Sequence, residues 1–288
     1  MKKNILLTGA SGFIGNNIYH RIDKKKYNLY CVDRNKKSSF ENSLYLNLTN
    51  KIKINKKLKF ECIIHCASLS SSNFTQESEF IEYYKNNIIA TKNLIDYANQ
   101  NKVKKFIFLS SVSIYGEIKT NKLKINSAII NPNKYGLSKL VCEKLLQDED
   151  NYFKSISIRL PGVIGQLSKR NLLSLLLKKI KLSQNIKIYN PYELFNNCLD
   201  SDELVKFIFL LLDKDLKIHD IILLSASRPI KFLLVVNKLI TSFKSNSKIK
   251  IIKNKKNSFV IENTYANHKY KYKPISTLET INKFIKKN

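Results

Sequence analysis

The chain has 288 residues, 43% of them hydrophobic, and carries 51 Lys and Arg against 22 Asp and Glu, a formal charge of +29. Length and apolar content fit a folded protein with a full core, and no apolar run approaches the roughly 18 residues of a membrane span, so no membrane partner is expected. The charge raises nucleic-acid binding, but the lysines are spread along the whole chain with abundant Asn and Ile, as A/T-rich codons produce, and Arg, the main reader of bases, is scarce; no nucleic-acid partner is expected.

The first residues, Met1 to Leu7, resemble the start of a signal peptide, but the apolar run is short and leads straight into a glycine pattern. Asn4 to Thr8 reads as a buried strand. Gly9, Ser11, Gly12, Phe13, Ile14 and Gly15 follow at once, and Asn16 to Lys24 has helical character. Strand, glycine turn and helix start together make a phosphate-binding context. Gly9 permits the turn, Gly12 lets a pyrophosphate approach the helix N-terminus, and Gly15 allows close helix–strand packing. The spacing is G-x-x-G-x-x-G, and three of the chain's seven glycines lie in it.

Tyr27 to Asp33 reads as the second strand and ends in an acid 18 residues past Gly15. A carboxylate there meets the ribose hydroxyls of NAD and repels a 2′-phosphate, whereas Arg34 would accommodate one, so NADP stays open. Glu61 to Ala67 is a third strand and Glu79 to Gln100 a helix; Lys104 to Ser110 is a further strand leading to Ser111. Asn131 and Pro132 break the chain before a helix carrying Tyr135 and Lys139, and Ser155 to Arg159 is another strand. Strands alternating with helices imply an α/β fold with a doubly wound parallel sheet. Gly9, Asp33, Ala67, Ser111 and Pro161 would all fall at the strand ends where such sheets bind ligands.

Tyr135 and Lys139, four residues apart, share one helix face. A lysine ammonium beside a phenol favours the phenolate and lowers its pKa, which would make Tyr135 a proton-transfer group. In a chain this rich in Lys and Tyr the same spacing also arises as an ordinary solvated helix face. Cys31, Cys62, Cys66, Cys142 and Cys198 form no C-x-x-C pair and no His spacing suits zinc; buried thiols in a reducing, cytoplasmic compartment and no metal are expected.

Taken in order, Thr8 to Gly15, Asp33, Asn47 with Leu48, His65 to Ala67, Asn87 to Thr91, Ser111 to Gly116, Tyr135 with Lys139, and Arg159 to Gly165 resemble the extended short-chain dehydrogenase/reductase family, in its NAD-dependent nucleotide-sugar epimerase/dehydratase branch. The resemblance implies a Rossmann-like core over residues 1–165 and a smaller C-terminal α/β substrate-binding lobe over 166–288, some of whose segments return to the core. It implies Tyr135 as acid/base, Lys139 as its modulator and ribose ligand, and Ser111 as the hydroxyl on the reacting sugar oxygen. Asn47 and Leu48 would flank adenine, Cys66, Ala67 and Pro161 would line the cofactor, and Ser113 and Asn171 would meet the substrate. Asn171 reads equally as a helix-start residue, and Asp202 resembles the structural acid at the start of a later helix.

Relatives of this kind often dimerise through a helix pair, for which the Glu79–Gln100 and Tyr135 helices are the candidates. Dehydratases of the branch usually carry an Asp-Glu pair where this chain has Val112 and Ser113, which disfavours elimination. Gly162, where galactose-type epimerases usually have Asn, departs from the standard UDP-glucose enzyme. An NAD(P)-dependent nucleotide-sugar epimerase or 4-ketoreductase of surface-polysaccharide synthesis is therefore expected, acting on a nucleotide-diphosphate sugar. A non-catalytic dinucleotide sensor or RNA-binding scaffold of the same superfamily is the alternative.

Overall fold

A computed structural model describes residues 2–34, 40–70, 79–148, 150–253 and 258–288. The elements run β1 (Lys3–Thr8), α1 (Phe13–Arg21), β2 (Tyr27–Asp33), β3 (Ser43–Tyr45), β4 (Cys62–His65), α2 (Phe80–Tyr83), α3 (Ala90–Gln100), β5 (Lys105–Ser111), β6 (Lys122–Leu123), α4 (Lys134–Leu146), β7 (Lys154–Leu160), β8 (Gly162–Ile164) and α5 (Leu172–Lys181). They continue with β9 (Ile186–Ile188), β10 (Leu194–Phe195), β11 (Cys198–Asp200), α6 (Ser201–Asp213), β12 (Asp220–Leu223), β13 (Ile230–Lys231), α7 (Phe232–Ser242), β14 (Ile249–Ile251), β15 (Val260–Ile261), α8 (Thr264–Tyr270) and α9 (Thr277–Lys286). Contacts divide the chain into two units: residues 1–116, 131–159 and 205–222, and residues 117–130, 160–204 and 223–288. In contact terms the change of unit falls at 159/160, with 117–130 already in the second unit and 205–222 back in the first.

The first unit is built on a seven-stranded sheet ordered β12-β7-β5-β4-β1-β2-β3. The pairs from β3 to β5 are parallel, with Thr8 beside Val32 on one side and beside His65 on the other. Parallel strands covered on both faces read as continuous apolar runs, and Ile5, Leu6, Leu7, Ile63, Ile64, Phe106 and Ile107 are almost wholly buried. The order reverses between β1 and β4, which makes the carboxyl ends of those two strands the natural ligand crevice. The Glu79–Gln100 helix differs from expectation in its middle: a π-helical turn, Tyr84–Ile89, separates α2 from α3. Such wide turns re-aim side chains and recur at functional sites; here the turn holds Asn87 fully inside.

Among its described residues the second unit has four short pairs of strands: β8 with β11, β9 with β14 and β6 with β15 in parallel, and β10 with β13 antiparallel. Its core gathers Leu173, Leu177 and Ile180 of α5, Val235 and Leu239 of α7, and Ile281 and Phe284 of α9. Ser276 and Glu279 form a reciprocal cap on α9. Asp200, rather than Asp202, takes the first amides of α6, those of Asp202 and Glu203, while Asp202 sits in the first turn and pairs with Lys287.

Candidate active site

The glycine turn is shaped by backbone contact. Gly9 has φ +71°, and a Cβ there would lie 2.6 Å from the Ala67 nitrogen, so the loops after β1 and β4 cross where only glycine fits. A Cβ on Gly15 would lie 2.1 Å from the Gly9 carbonyl oxygen, so α1 starts hard against the turn. Gly12 caps α1 and brings no side chain to its first amides, which leaves a helix N-terminus suited to an anion. Ser11 and Gly12 are exposed, and Phe13 and Ile14 half-buried.

The crossing is braced from below. The Ala67 amide donates to Thr8 Oγ1 at 3.2 Å, Thr8 Oγ1 lies 2.6 Å from His65 Nδ1, and His65 Nε2 lies 3.0 Å from Thr91 Oγ1. A neutral imidazole protonated on Nε2 satisfies all three, with the Thr8 hydroxyl donating to Nδ1. Burial, with the charge of Lys139 nearby, pushes His65 down to about 3 and keeps it neutral. Asp33 ends β2, buried, and Arg34 beyond it is exposed. The Asn47 side chain accepts from the Thr49 amide at 3.1 Å and the Thr49 hydroxyl at 2.9 Å, a local turn, while Leu48 packs into the core.

Ser111 ends β5 and its hydroxyl caps a 3₁₀ turn, Val112–Tyr115, accepting from the Ser113 amide at 3.1 Å and lying 3.1 Å from Ser113 Oγ. Helix α4 begins at an Asn133 cap. A Cβ on Gly136 would lie 2.2 Å from the Ser113 carbonyl oxygen, so the first turn of α4 packs directly on the 3₁₀ turn. This sets the Ser111 side chain, and that of Ser68 just past Ala67, beside Tyr135, where both favour the ionised phenol. Lys139 Nζ donates to the Leu109 carbonyl at 2.8 Å, lies 4.5 Å from the Phe108 ring centre and 6.0 Å from that of Tyr135.

The electrostatics reverse the expectation that Lys139 lowers Tyr135. As a residue Tyr135 is half-buried, but its hydroxyl is enclosed, and that burial pushes it up to about 12; hydrogen bonds from Ser111 and Ser68 act in the opposite sense and are outweighed. Burial likewise pulls Lys139 down to about 8, against the support of Cys142, Cys66 and Glu143. The lysine is anchored to the strand rather than to the phenol, so desolvation dominates both groups. Cys66, close to Lys139, is raised to about 12 by burial.

Ser68 and Tyr83 escaped the sequence reading. The signal for Ser68 was its place one residue beyond the strand-end Ala67. Tyr83 is fully buried with its ring centre 6.1 Å from that of Tyr135. Asn87 ties the surroundings together: its amide accepts from the Leu69 amide at 2.7 Å, donates to the Leu69 carbonyl at 3.0 Å and donates to Ser138 Oγ at 2.9 Å. Pro161 and Asn171 belong to the second unit. Asn171 caps α5, accepting from the Ser174 amide and hydroxyl, and donates to the Val163 carbonyl at 2.8 Å. Among the described residues no cluster of three or more His, Cys, Asp or Glu could hold a metal, and no helix is long and apolar enough to cross a membrane.

The sequence profile of the NAD dependent epimerase/dehydratase family matches residues 5–223. A UDP-glucose 4-epimerase of Caenorhabditis elegans is 27% identical over 202 residues, 57% of each chain, so the match spans little more than half of that relative. A UDP-glucose 4-epimerase of Vibrio cholerae is 28% identical over 74% of this chain and 71% of its own. Among solved structures, a UDP-glucuronic acid 4-epimerase from Bacillus cereus, in complex with UDP-glucuronic acid and NAD, superposes with a TM-score of 0.83 over 98% of both chains at 19% identity, a likeness of fold.

Proposed function

The chain belongs to the NAD dependent epimerase/dehydratase family, and from that premise we propose that it is an NAD-dependent nucleotide-sugar epimerase acting at a sugar carbinol. The observation that carries the reading is the contact of the Ser111 and Ser68 hydroxyls with Tyr135, one helical turn from a buried Lys139. NAD fits the residues present: the Gly9–Ala67 crossing leaves no room for a side chain, α1 opens without a capping side chain, and an acid ends β2. Gly12 and the open start of α1 would hold the pyrophosphate and Asp33 the ribose, which favours NAD over NADP. The cofactor would supply a two-electron acceptor beside the sugar.

Tyr135 is the group that takes and returns the hydroxyl proton. Ser111 and Ser68 aim the sugar oxygen at it, and Lys139 holds positive charge at the same place. Elimination of water across neighbouring carbons needs a further acid or base, and the two positions directly after Ser111 are Val112 and Ser113 rather than carboxylic acids. The substrate is a nucleotide-diphosphate sugar, bound with the help of Ser113, whereas the Asn171 amide is taken up by its own helix cap. The cysteines at 31, 62, 142 and 198 are free and buried, which suits a reducing cytoplasm. Phe80, Ile81 and Tyr84 on the 80–100 helix and Leu137 on α4 are exposed. A second copy of the chain covering them would form a homodimer through that helix pair.

Purified protein should bind NAD, and Tyr135→Phe should lower kcat by about 10²–10⁴-fold while NAD still binds. Incubation with UDP-sugars, read at the absorbance of reduced nicotinamide, separates the outcomes. Product without net change in that absorbance supports the epimerase. Stoichiometric consumption of NADH makes the enzyme a ketoreductase, and full activity in Tyr135→Phe removes Tyr135 from the chemistry.

A further inference from the structure

Arg159, near the end of β7, has its side chain buried, and it binds two elements at once. Its Nε donates to Glu143 Oε1 at 3.1 Å and Oε2 at 3.2 Å, and Nη2 donates to Oε2 at 2.7 Å. Nη1 donates to the Tyr115 hydroxyl at 2.7 Å, and the guanidinium carbon lies 4.9 Å from the Tyr115 ring centre. Glu143 lies on α4 one turn past Lys139 and two past Tyr135. Tyr115 ends the 3₁₀ turn that Ser111 begins. One guanidinium therefore grips both the turn that carries Ser111 and the helix that carries Tyr135 and Lys139. A second tie lies at the other end of the turn, where the Gly136 backbone meets the Ser113 carbonyl.

Stability alone is a poor reason for this arrangement. Burying an ion pair forfeits solvation, and well-packed apolar residues of similar size often do as well or better. What an ion pair adds is directional, bidentate geometry. A displacement of about 1 Å between reacting groups can lower turnover by about 10²-fold, so the register of this turn on α4 matters to any proton transfer between Ser111, Tyr135 and substrate.

We propose that Arg159, Glu143 and Tyr115 are positioning residues, a buried clamp that sets the separation of the Ser111 and Tyr135 hydroxyls. The inference rests on the reading of Tyr135 as the acid/base. The clamp also reaches Lys139. That ammonium is faced by Cys142, Glu143 and Tyr135 from α4, by His65 and Cys66 from β4 and its end, and by the Leu109 carbonyl and Phe108 ring from β5. Glu143 is the carboxylate among the groups that support its proton, so neutralising Glu143 should move Lys139 further below its ordinary value.

The test compares the double variant Arg159→Met/Glu143→Leu, the single variants Tyr115→Phe and Glu143→Gln, and Tyr135→Phe. The double variant should unfold thermally close to the wild type and bind NAD within about threefold, with KM for the UDP-sugar within about threefold and kcat lower by about tenfold to a hundredfold. Glu143→Gln should shift the alkaline limb of the kcat–pH profile to lower pH. A purely structural ion pair would lower the unfolding temperature and leave that limb in place. If the double variant does not fold, Tyr115→Phe, which removes one hydrogen bond, should still lower kcat severalfold at temperatures well below its own unfolding transition, where the protein is fully folded.

A crystal structure of whichever variant folds should show the Ser111–Tyr135 hydroxyl separation changed by more than about 0.5 Å. An unchanged separation, or wild-type kcat and pH profile where Tyr135→Phe is inactive, overturns the clamp. Retained activity in Tyr135→Phe overturns the acid/base reading instead, and the hydroxyl separation then still decides the clamp.

Discussion

Acid should weaken the protein through His65. Its ring is buried, hydrogen-bonded at both nitrogens, and held down to about 3 against an ordinary value of 6.5. The folded state therefore binds this proton more weakly than the unfolded chain. The stability tied to the neutral ring is complete above pH 6.5 and is lost as pH falls toward 3. One pKa unit is worth about 1.4 kcal/mol, so the loss between pH 7 and pH 5 is about 2 kcal/mol, rising to about 4 kcal/mol at pH 3. Because His65 braces Thr8, and Thr8 takes the Ala67 amide, NAD retention should weaken over the same range. Urea unfolding of wild type and His65→Gln near pH 7 and near pH 5 measures the effect. The variant should be less stable near pH 7 but should lose about 2 kcal/mol less on acidification. Equal losses in the two proteins would refute a neutral, buried His65.

Tyr83→Phe should raise stability. Among the described residues the buried Tyr83 hydroxyl has no hydrogen-bond partner, an arrangement that costs about 1–3 kcal/mol. The change should therefore raise the unfolding temperature by about 2 °C, and scanning calorimetry showing a fall would mean that the hydroxyl is satisfied in solution. Asn171→Ala should cost about 1 kcal/mol through the lost α5 cap. Since its amide oxygen is already taken by Ser174, KM for the UDP-sugar should stay within about threefold; a rise beyond about tenfold in steady-state assays would assign Asn171 to substrate recognition instead.

What could be read from the chain was local. Gly9 and Gly15 announce a tight turn because a Cβ at either would lie under 3 Å from backbone atoms, and the apolar runs at Ile5–Leu7, Ile63–Ile64 and Phe106–Leu109 mark strands buried on both faces. The second unit was harder to read. Several of its strands are two or three residues long, too short to show a period, and they pair with partners far along the chain, as Lys122 does with Val260. The π-helical turn was hidden for a related reason, since one widened turn shifts the apolar phase of the 80–100 helix without removing its helical composition.

The Tyr135–Lys139 pair marks where local reading stops. Spacing places the two on one helix face, and that much follows from helical geometry. The sign of their electrostatics depends on burial, which the spacing does not carry. Lys139 points its ammonium at the Leu109 carbonyl, and its charge is supported by Cys142, Cys66 and Glu143. Those groups come from three elements brought together by the sheet order. The hydroxyls beside Tyr135 come from two of the same elements, the ends of β4 and β5. The acid/base character of Tyr135 is thus a property of the β4–β5–α4 corner, and the Arg159 clamp is where that corner is held in register. A substitution there should alter turnover without touching any residue of the Tyr135 motif.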